Sequence, residues 1–324
     1  MKILITGGMG YIGTSMLEVF KNHQVTVVDN FLFGQEYLVP GLLARYENLN
    51  IIRTDLMDFS DNIIKQELKD TDVVIHLAAL VGMPLCDSVG NSITYSVNTG
   101  ATKRLVSLLS KNQKIIFPNT NSAYGTSPAG SVCTEDSPTK PISSYGVTKS
   151  KSEEIVLEHG NSCVFRLATV FGLSPRMRLD LMVNDFVYKA KFNNVLSIFE
   201  GHFRRNFVHV KDVCNAFRFS ITDSLTGVYN LGLDSANMTK IELAKKISKF
   251  TGCKVEETPG KDPDQRDYLV SSQKLYKTGF KCIYELEYGI EELLEFYKNL
   301  PKDIVGRNRI IKGMKNYDNN KNSF

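Results

Sequence analysis

Tyr145 and Lys149 stand four residues apart in the stretch SSYGVTKS. In a helix that spacing puts both side chains on one face. A phenol beside an ammonium is a candidate general base, because the positive neighbour favours phenolate. The phenol's reference pKa is about 10, so ionisation near neutrality asks for a shift of ~3 units, roughly 4 kcal/mol. Upstream, TNSAYG (120–125) follows the apolar run KIIF and sits where a strand runs out. What Thr120, Asn121 and Ser122 permit decides which proton-transfer chemistry is open. A Tyr–Lys pair by itself is common on protein surfaces. It gains meaning only beside a group that takes the electrons.

The N-terminal stretch ITGGMGYIG supplies such a group's site. Gly7, Gly10 and Gly13 form a G-x-x-G-x-x-G spacing between a strand and a helix. Residues without Cβ let the chain turn tightly and let a pyrophosphate approach, and the helix start offers free N–H groups and a positive dipole end. Asp29 ends the next strand pattern, 22 residues after Gly7. Its carboxylate can accept hydrogen bonds from an adenosine ribose and would repel a 2′-phosphate, which favours NAD over NADP. Asp55 and Leu56, after the third strand pattern, are placed to hold the adenine edge. The plainer reading of Asp29 and Asp55 is loop capping. With NAD present, the positive oxidised nicotinamide shares the work of lowering the Tyr145 pKa. The phenolate can then take a proton from a substrate hydroxyl while hydride leaves for the cofactor.

These residues need a scaffold, and the periodicity provides one. KILITGG, QVTVVDN, NIIRTDL, DVVIHLAA, KIIFPNT and SCVFRLATVFG (162–172) read as short strands, with helical patterns over 11–22, 60–69 and 98–111 between them. Alternation of this kind predicts βαβ units and a doubly wound, mostly parallel α/β sheet of Rossmann type, with ligands at the carboxyl ends of its strands. The expected division is an NAD-binding domain over 1–172 with later segments returning to it. A smaller C-terminal α/β substrate lobe is expected over 173–300. In that lobe SPRMRLD reads as loop, LMVNDFVYKAKF, MTKIELAKKISKFTG and GIEELLEFYKN as helices, and VLSIFE and GVYNLG as strands; RRNFVHVKDVCNAFRFSI reads as strand then helix. The Asn- and Lys-rich segment 301–324 is expected to be a flexible tail.

Composition limits the alternatives. The chain has 324 residues, 42% hydrophobic and 23% charged, with a net charge of +4 and no basic block in the folded part. That size suits a two-lobed enzyme, and nucleic acid is not called for. Six Cys (86, 133, 163, 214, 253, 282) form no C-x-x-C and no His cluster, as expected of free thiols in a reducing cytosol. No signal-peptide pattern and no membrane-length apolar run is present, so a cytoplasmic protein is expected. His76 and His209 lie in apolar strand contexts and read as hydrogen-bonded structural residues. No His pair has metal-ligand spacing, so no metal is indicated.

Taken together, TGGMGYIG, VVDN, HLAA (76–79), VNTGATKRLV (97–106), the YG at 124–125, PISSYGVTKSKSE, RLATVFG (166–172), RNFVHVKDV and RDYLVS resemble the extended short-chain dehydrogenase/reductases, in particular the NAD-dependent nucleotide-sugar epimerases and dehydratases. The resemblance covers about residues 1–300. It implies NAD held by Gly7, Gly10, Tyr11, Ile12, Gly13, Asp29, Asn30, Asp55, Leu56 and the segment Leu77, Ala78, Ala79, Leu80, with Asn98 near the active site. It implies Tyr145 as base, Lys149 on the nicotinamide ribose and tuning Tyr145, and Thr120 as the hydroxyl that polarises the reacting one. On the substrate side it suggests Ser122, Asn184, Arg205 and Arg266, the two guanidiniums suiting a pyrophosphate. A homodimer packed through the helices that start near 98 and 145 is implied as well.

In the family's 4,6-dehydratases an Asp-Glu pair stands at positions 121–122, related decarboxylases carry Glu at the second, and 3,5-epimerases carry Cys there. Here the pair is Asn121 and Ser122, neither of which does acid–base work near neutrality. The expectation is therefore oxidation at one sugar carbon, C4, without elimination. Hydride returned to the other face makes a 4-epimerase; hydride kept makes a 4-dehydrogenase. Surface-polysaccharide precursors are the expected substrates. The alternatives are a dehydratase or decarboxylase, or a non-catalytic NAD-binding protein of the same fold.

Overall fold

Short runs rich in Ile and Val become the central strands because both faces of these are covered, which suits β-branched side chains. In chain order the strands are β1 Lys2–Thr6, β2 Gln24–Asp29, β3 Leu49–Arg53, β4 Val73–His76, β5 Lys114–Thr120, β6 Val132–Cys133, β7 Ser162–Leu167 and β8 Thr169–Phe171. They continue as β9 Val195–Ile198, β10 Arg204–His209, β11 Gly227–Leu231, β12 Leu233–Thr239, β13 Lys254–Glu257 and β14 Leu269–Val270. The computed structural model describes residues 1–58, 62–128, 130–261 and 265–300, so the tail expected at 301–324 lies outside the described residues. Seven strands form one sheet in the order β11-β7-β5-β4-β1-β2-β3, and every pairing in it is parallel.

This is the doubly wound Rossmann sheet expected from the alternation. The chain winds outward from β1 to β3, then restarts at β4 on the other side. The reversal opens a crevice between β1 and β4 at their carboxyl ends, where such sheets take ligands. Period-two alternation splits the apolar residues between two faces. Ile3, Ile5, Ile116, Cys163 and Phe165 join the core that includes Phe20 and Phe217. Leu4, Val28, Val74 and Leu105 pack on the opposite face, as do Ile115, Phe117, Val156 and Val164.

Three smaller sheets carry the rest: β12-β10-β8, β13-β9 and β14-β6. A separate core of Phe171, Val187, Leu196, Phe207, Leu243, Ile290 and Leu293 binds the first two to the helices Met182–Asn193, Lys240–Thr251 and Leu286–Lys298, while β14-β6 packs in its own cluster of Tyr124, Cys133, Tyr268 and Val270. The single strand expected over 162–172 is in fact two. β7 stays in the main sheet beside β5 and β11, whereas β8 pairs with β10 in the smaller one. β7 is buried throughout and β8 partly so, and only Ala168 separates them, so composition alone could not mark the break. The helix expected from 98 begins as a π turn, Ser96–Gly100, before the α-helix Ala101–Ser107. Met238 and Thr239 end β12; the helix that follows starts with Thr239 as its cap, in a reciprocal capping box with Glu242. Among the described residues no helix is long and apolar enough to cross a membrane.

Candidate active site

The glycine turn joins β1 to the helix Tyr11–Met16. Gly7 has φ +67°, and a Cβ added there would fall 2.6 Å from the Cα and N of Ala78. A Cβ on Gly13 would meet the Gly8 carbonyl oxygen at 2.4 Å. Neither position admits a side chain, because the protein's own backbone fills that space, so the turn packs tightly against the segment at 77–78 and against the start of its own helix. Gly8, absent from the sequence reading, is constrained less tightly, its Cβ meeting the Val27 side chain at 2.9 Å. Asp29 is buried and accepts from Met9 N (3.0 Å) and Phe31 N (2.8 Å), one bond to each carboxylate oxygen. Burial pushes its carboxyl up, against those two N–H donors. Each oxygen retains a lone pair, as a ribose acceptor requires. Asn30 Nδ2 donates to Asp55 Oδ2 at 2.9 Å, and Met57 N donates to Asp55 Oδ1 at 2.8 Å. The Leu56 carbonyl is held by Arg104 Nη1 at 2.5 Å.

Tyr11 is placed differently from the others. Its hydroxyl is buried and donates to the Gly172 carbonyl at 2.6 Å, and burial raises its pKa. Its side chain ties the helix start to the loop after β8. Ile12 packs on the core behind. The segment 77–80 is pinned at both ends. Leu77 N donates to Thr6 O (2.9 Å) and Ala78 N to Thr6 Oγ1 (3.4 Å). Asn98 Oδ1 accepts from Leu80 N at 2.7 Å, while its Nδ2 donates to Leu80 O (3.0 Å) and Thr148 Oγ1 (3.2 Å). Asn98 lies in the π turn, an irregularity that often marks function, and it clamps the 77–80 segment to the helix carrying Tyr145. Ala79 is half-buried beside it.

The candidate reacting end brings together Thr120, Ser122, Tyr145 and Lys149. Thr120 is the last residue of β5 and Ser143 caps the helix Ser144–Glu158, its hydroxyl accepting from Gly146 N at 3.2 Å. Thr120 Oγ1 accepts from Ser122 N (3.1 Å) and donates to Ser122 Oγ (2.9 Å). A guanidinium N–H of Arg266 also donates to Ser122 Oγ. Lys149 is buried, with Nζ 3.7 Å from the centre of the Phe117 ring. Asn121 is buried between Thr120 and Ser122, and neither atom of its carboxamide has a protein partner.

The charges depart from the expectation drawn from spacing. Burial pushes the Tyr145 phenol up to about 12, and the cations that oppose it are Arg266 and Arg178. Burial also pulls the Lys149 ammonium down to about 7, with Glu153 pulling the other way. A lysine that desolvation itself half-discharges is a weak lever on its neighbour, so in the protein alone desolvation wins at both residues. The oxidised cofactor's charge therefore has more to supply than the i, i+4 pairing suggested.

Asn184 and Arg205 are fully buried and engaged with main chain. Asn184 Oδ1 accepts from Gly172 N at 3.0 Å and its Nδ2 donates to Arg178 O at 2.9 Å. Arg205 donates to Arg204 O at 2.8 Å and to the Arg266 carbonyl. Both position residues that reach the cleft, Arg178 and Arg266, from behind. Arg178, paired with Asp180 (Nε to Oδ1, 3.0 Å), was not singled out by sequence. Nothing in a loop reading of SPRMRLD marks which arginine turns toward the phenol. His76 and His209 are each hydrogen-bonded in place, His76 between Thr6 (2.7 Å) and Thr102 (2.9 Å) and His209 to Glu292 (3.0 Å).

A doubly wound sheet with a glycine turn after β1, an acid at the end of β2 and a Tyr–Lys helix beside β5 is the arrangement of a dinucleotide-binding α/β protein. The chain belongs to the NAD dependent epimerase/dehydratase family, which matches residues 3–232. NAD is that family's cofactor, and the side-chain-free turn and the Asp29 acceptors fit it. Over 92% of this chain and 93% of the relative, the sequence is 25% identical to dTDP-glucose 4,6-dehydratase of Streptomyces niveus. It is 26% identical to UDP-N-acetylglucosamine 4-epimerase of Methanobrevibacter ruminantium, with a TM-score of 0.78 over 92% of this chain and 98% of that one. The UDP-glucose 4-epimerase of Thermus thermophilus in complex with NAD shares the fold, with a TM-score of 0.80 and 23% identity over 93% of this chain and 100% of that one.

Proposed function

We propose that the protein oxidises C4 of a nucleotide-activated sugar, an NDP-hexose or NDP-heptose, as a 4-epimerase or 4-dehydrogenase. The observation that carries this reading is the neutral 121–122 pair beside Thr120 and Tyr145. Thr120 and Ser122 present hydroxyls that can orient the sugar's C4 hydroxyl. Tyr145 accepts its proton once the phenol is ionised. NAD, when bound at Gly7–Gly13 and Asp29, supplies the hydride acceptor. The buried Asn121 amide and the Ser122 hydroxyl do not titrate near neutrality, so neither can drive loss of the C6 hydroxyl or proton abstraction at C5. Arg266, bracketed by Arg205, and Arg178 bring positive charge to the substrate side, which suits a pyrophosphate-bearing ligand. A homodimer through the helices near 98 and 145 belongs to the same reading, supported by exposed Tyr95 and Val147, as does a place in surface-polysaccharide precursor synthesis.

The test is turnover of a panel of UDP-, dTDP-, GDP- and CDP-sugars in deuterated water, with products read by mass spectrometry and NMR. Oxidation at C4 exchanges no carbon-bound hydrogen with solvent. A product inverted at C4 and free of deuterium is the expected epimerase result, and an undeuterated 4-keto sugar the dehydrogenase result. Deuterium at C3, C5 or C6 would overturn the assignment of Asn121 and Ser122.

A further inference from the structure

The strongest unassigned feature is a buried ionic cluster directly behind the reacting residues. Glu153 lies one turn beyond Lys149 on the helix Ser144–Glu158, and both it and Arg166 of β7 are buried. Arg166 grips the carboxylate with two donors, Nε to Oε2 at 3.2 Å and Nη2 to Oε1 at 2.6 Å. Asn119 Nδ2 donates to the same Oε2 at 2.5 Å, and Asn119 Oδ1 accepts from Thr120 N at 2.8 Å. Arg166 Nη1 extends the cluster to the Tyr124 hydroxyl (3.0 Å) and the Glu135 carbonyl (3.2 Å). The Tyr124 hydroxyl in turn donates to Asn230 Oδ1 of β11 at 2.6 Å.

A buried ion pair is poor evidence of stabilisation, because desolvation offsets most of its Coulomb attraction and a well-packed apolar pair can replace it. Its placement says more. One carboxylate touches the residue that holds the Thr120 main chain and, at i, i+4 spacing, faces the turn of helix that carries Lys149. Lys149 is approached from several elements. From its own helix come Tyr145 and Glu153; from β4 comes His76, whose ring burial keeps neutral down to about pH 3. From β5 comes the Phe117 ring, and from β7 comes Arg166 behind the carboxylate. Glu153 is the one anion named among them, and it opposes the desolvation that drives Lys149 toward its neutral form.

We propose that Glu153 is a positioning residue of the proton-transfer site: clamped by Arg166 and Asn119, its carboxylate keeps the Lys149 ammonium charged and the Thr120 main chain in place beside Tyr145. The proposal rests on the roles given above to Thr120, Tyr145 and Lys149. Its test reads the charge of Lys149 directly, without any sugar substrate, so its failure is distinct from a failure of the C4 reading.

The full chain, labelled with ¹³C and ¹⁵N in lysine, is titrated by NMR, and the Lys149 signal is assigned by its loss in Lys149→Met. In Glu153→Gln the Lys149 midpoint is expected to fall by at least about half a pH unit, a threefold or greater loss in the charged-to-neutral ratio. Where Glu153→Gln leaves Arg166 unpaired and the chain does not fold, Glu153→Gln/Arg166→Met is read against Arg166→Met, and the difference between the two midpoints isolates the carboxylate. Glu153→Asp, which keeps the charge, is expected to lie closer to the unmodified protein than Glu153→Gln. A midpoint that moves less than about half a unit or moves upward, or an Asp variant lower than the Gln variant, overturns the proposal.

Discussion

The two ends of the proposed site are made of different material. The cofactor end is main chain and absent side chains: a turn with φ +67° at Gly7, a helix start, and a carboxylate fixed by two N–H donors. Its parts lie within the first 58 residues, apart from the 77–80 segment and the Asn98 clamp. The reacting end is side chain and charge, drawn from β5, the helix Ser144–Glu158, the loop around Arg178 and the segment at Arg266. Shape can be specified by leaving atoms out, and that takes few residues close in sequence. Reactivity needs ionisable groups held against desolvation, and those must be brought in from several elements. Hence the cofactor end has one dominant physical requirement, room, whereas the reacting end balances burial against charge.

Substitutions at the two ends should therefore fail in different ways. Tyr145→Phe keeps the ring and removes the proton acceptor. Turnover of the sugar identified from the panel is expected to fall ~10²–10⁴-fold while NAD titration changes little. Retention of more than about a tenth of the rate would move the base elsewhere. Gly7→Ala reverses that pattern: the new Cβ meets the Ala78 backbone, and the left-handed conformation itself costs roughly 1–2 kcal/mol. NAD affinity is expected to drop by about 10–100-fold, and an unchanged dissociation constant would mean that the turn is not the cofactor cradle.

Between the two ends lies His76, which joins Thr6 below the glycine turn to Thr102 on the far side. Burial pulls its pKa from 6.5 to about 3. Below about pH 6.5 the unfolded chain binds a proton that the native ring refuses, so stability falls as pH falls through that window toward 3. From pH 7 to pH 5 the contribution is about 2 kcal/mol. Urea unfolding at the two pH values should show that increment in the natural protein and lose it in His76→Gln; equal pH dependence in both would contradict the buried neutral ring. The smallest expected effect is at Asp29. Asp29→Ala removes a ribose acceptor and a source of repulsion together, so NAD binding should weaken by about tenfold and the gap to NADP should narrow. Equal affinity of the unmodified protein for the two cofactors would break the assignment.

The sequence by itself determined the sheet, its parallel pairing, the glycine turn and the placing of Tyr145 beside Lys149. Each of these rests on local spacing: period two in strands, about 3.6 in helices, and glycines where a chain must turn without a Cβ. Family resemblance added Thr120, Arg266 and the departure at Asn121–Ser122. What spacing could not supply was the balance of burial against charge. It suggested an ammonium that lowers a phenol; in the fold both groups are desolvated, Tyr145 upward and Lys149 downward. Nor could it show that Asn184 and Arg205 turn to main-chain partners, that the chain changes sheets at Ala168, or that Asn119, Glu153 and Arg166 meet. Those three lie on two strands and a helix, and an ionic contact between them exists only once β5, β7 and the helix are packed. Local periodicity reports which face of an element is apolar, and only tertiary structure decides which buried charges come within reach of one another and how much water is left around them.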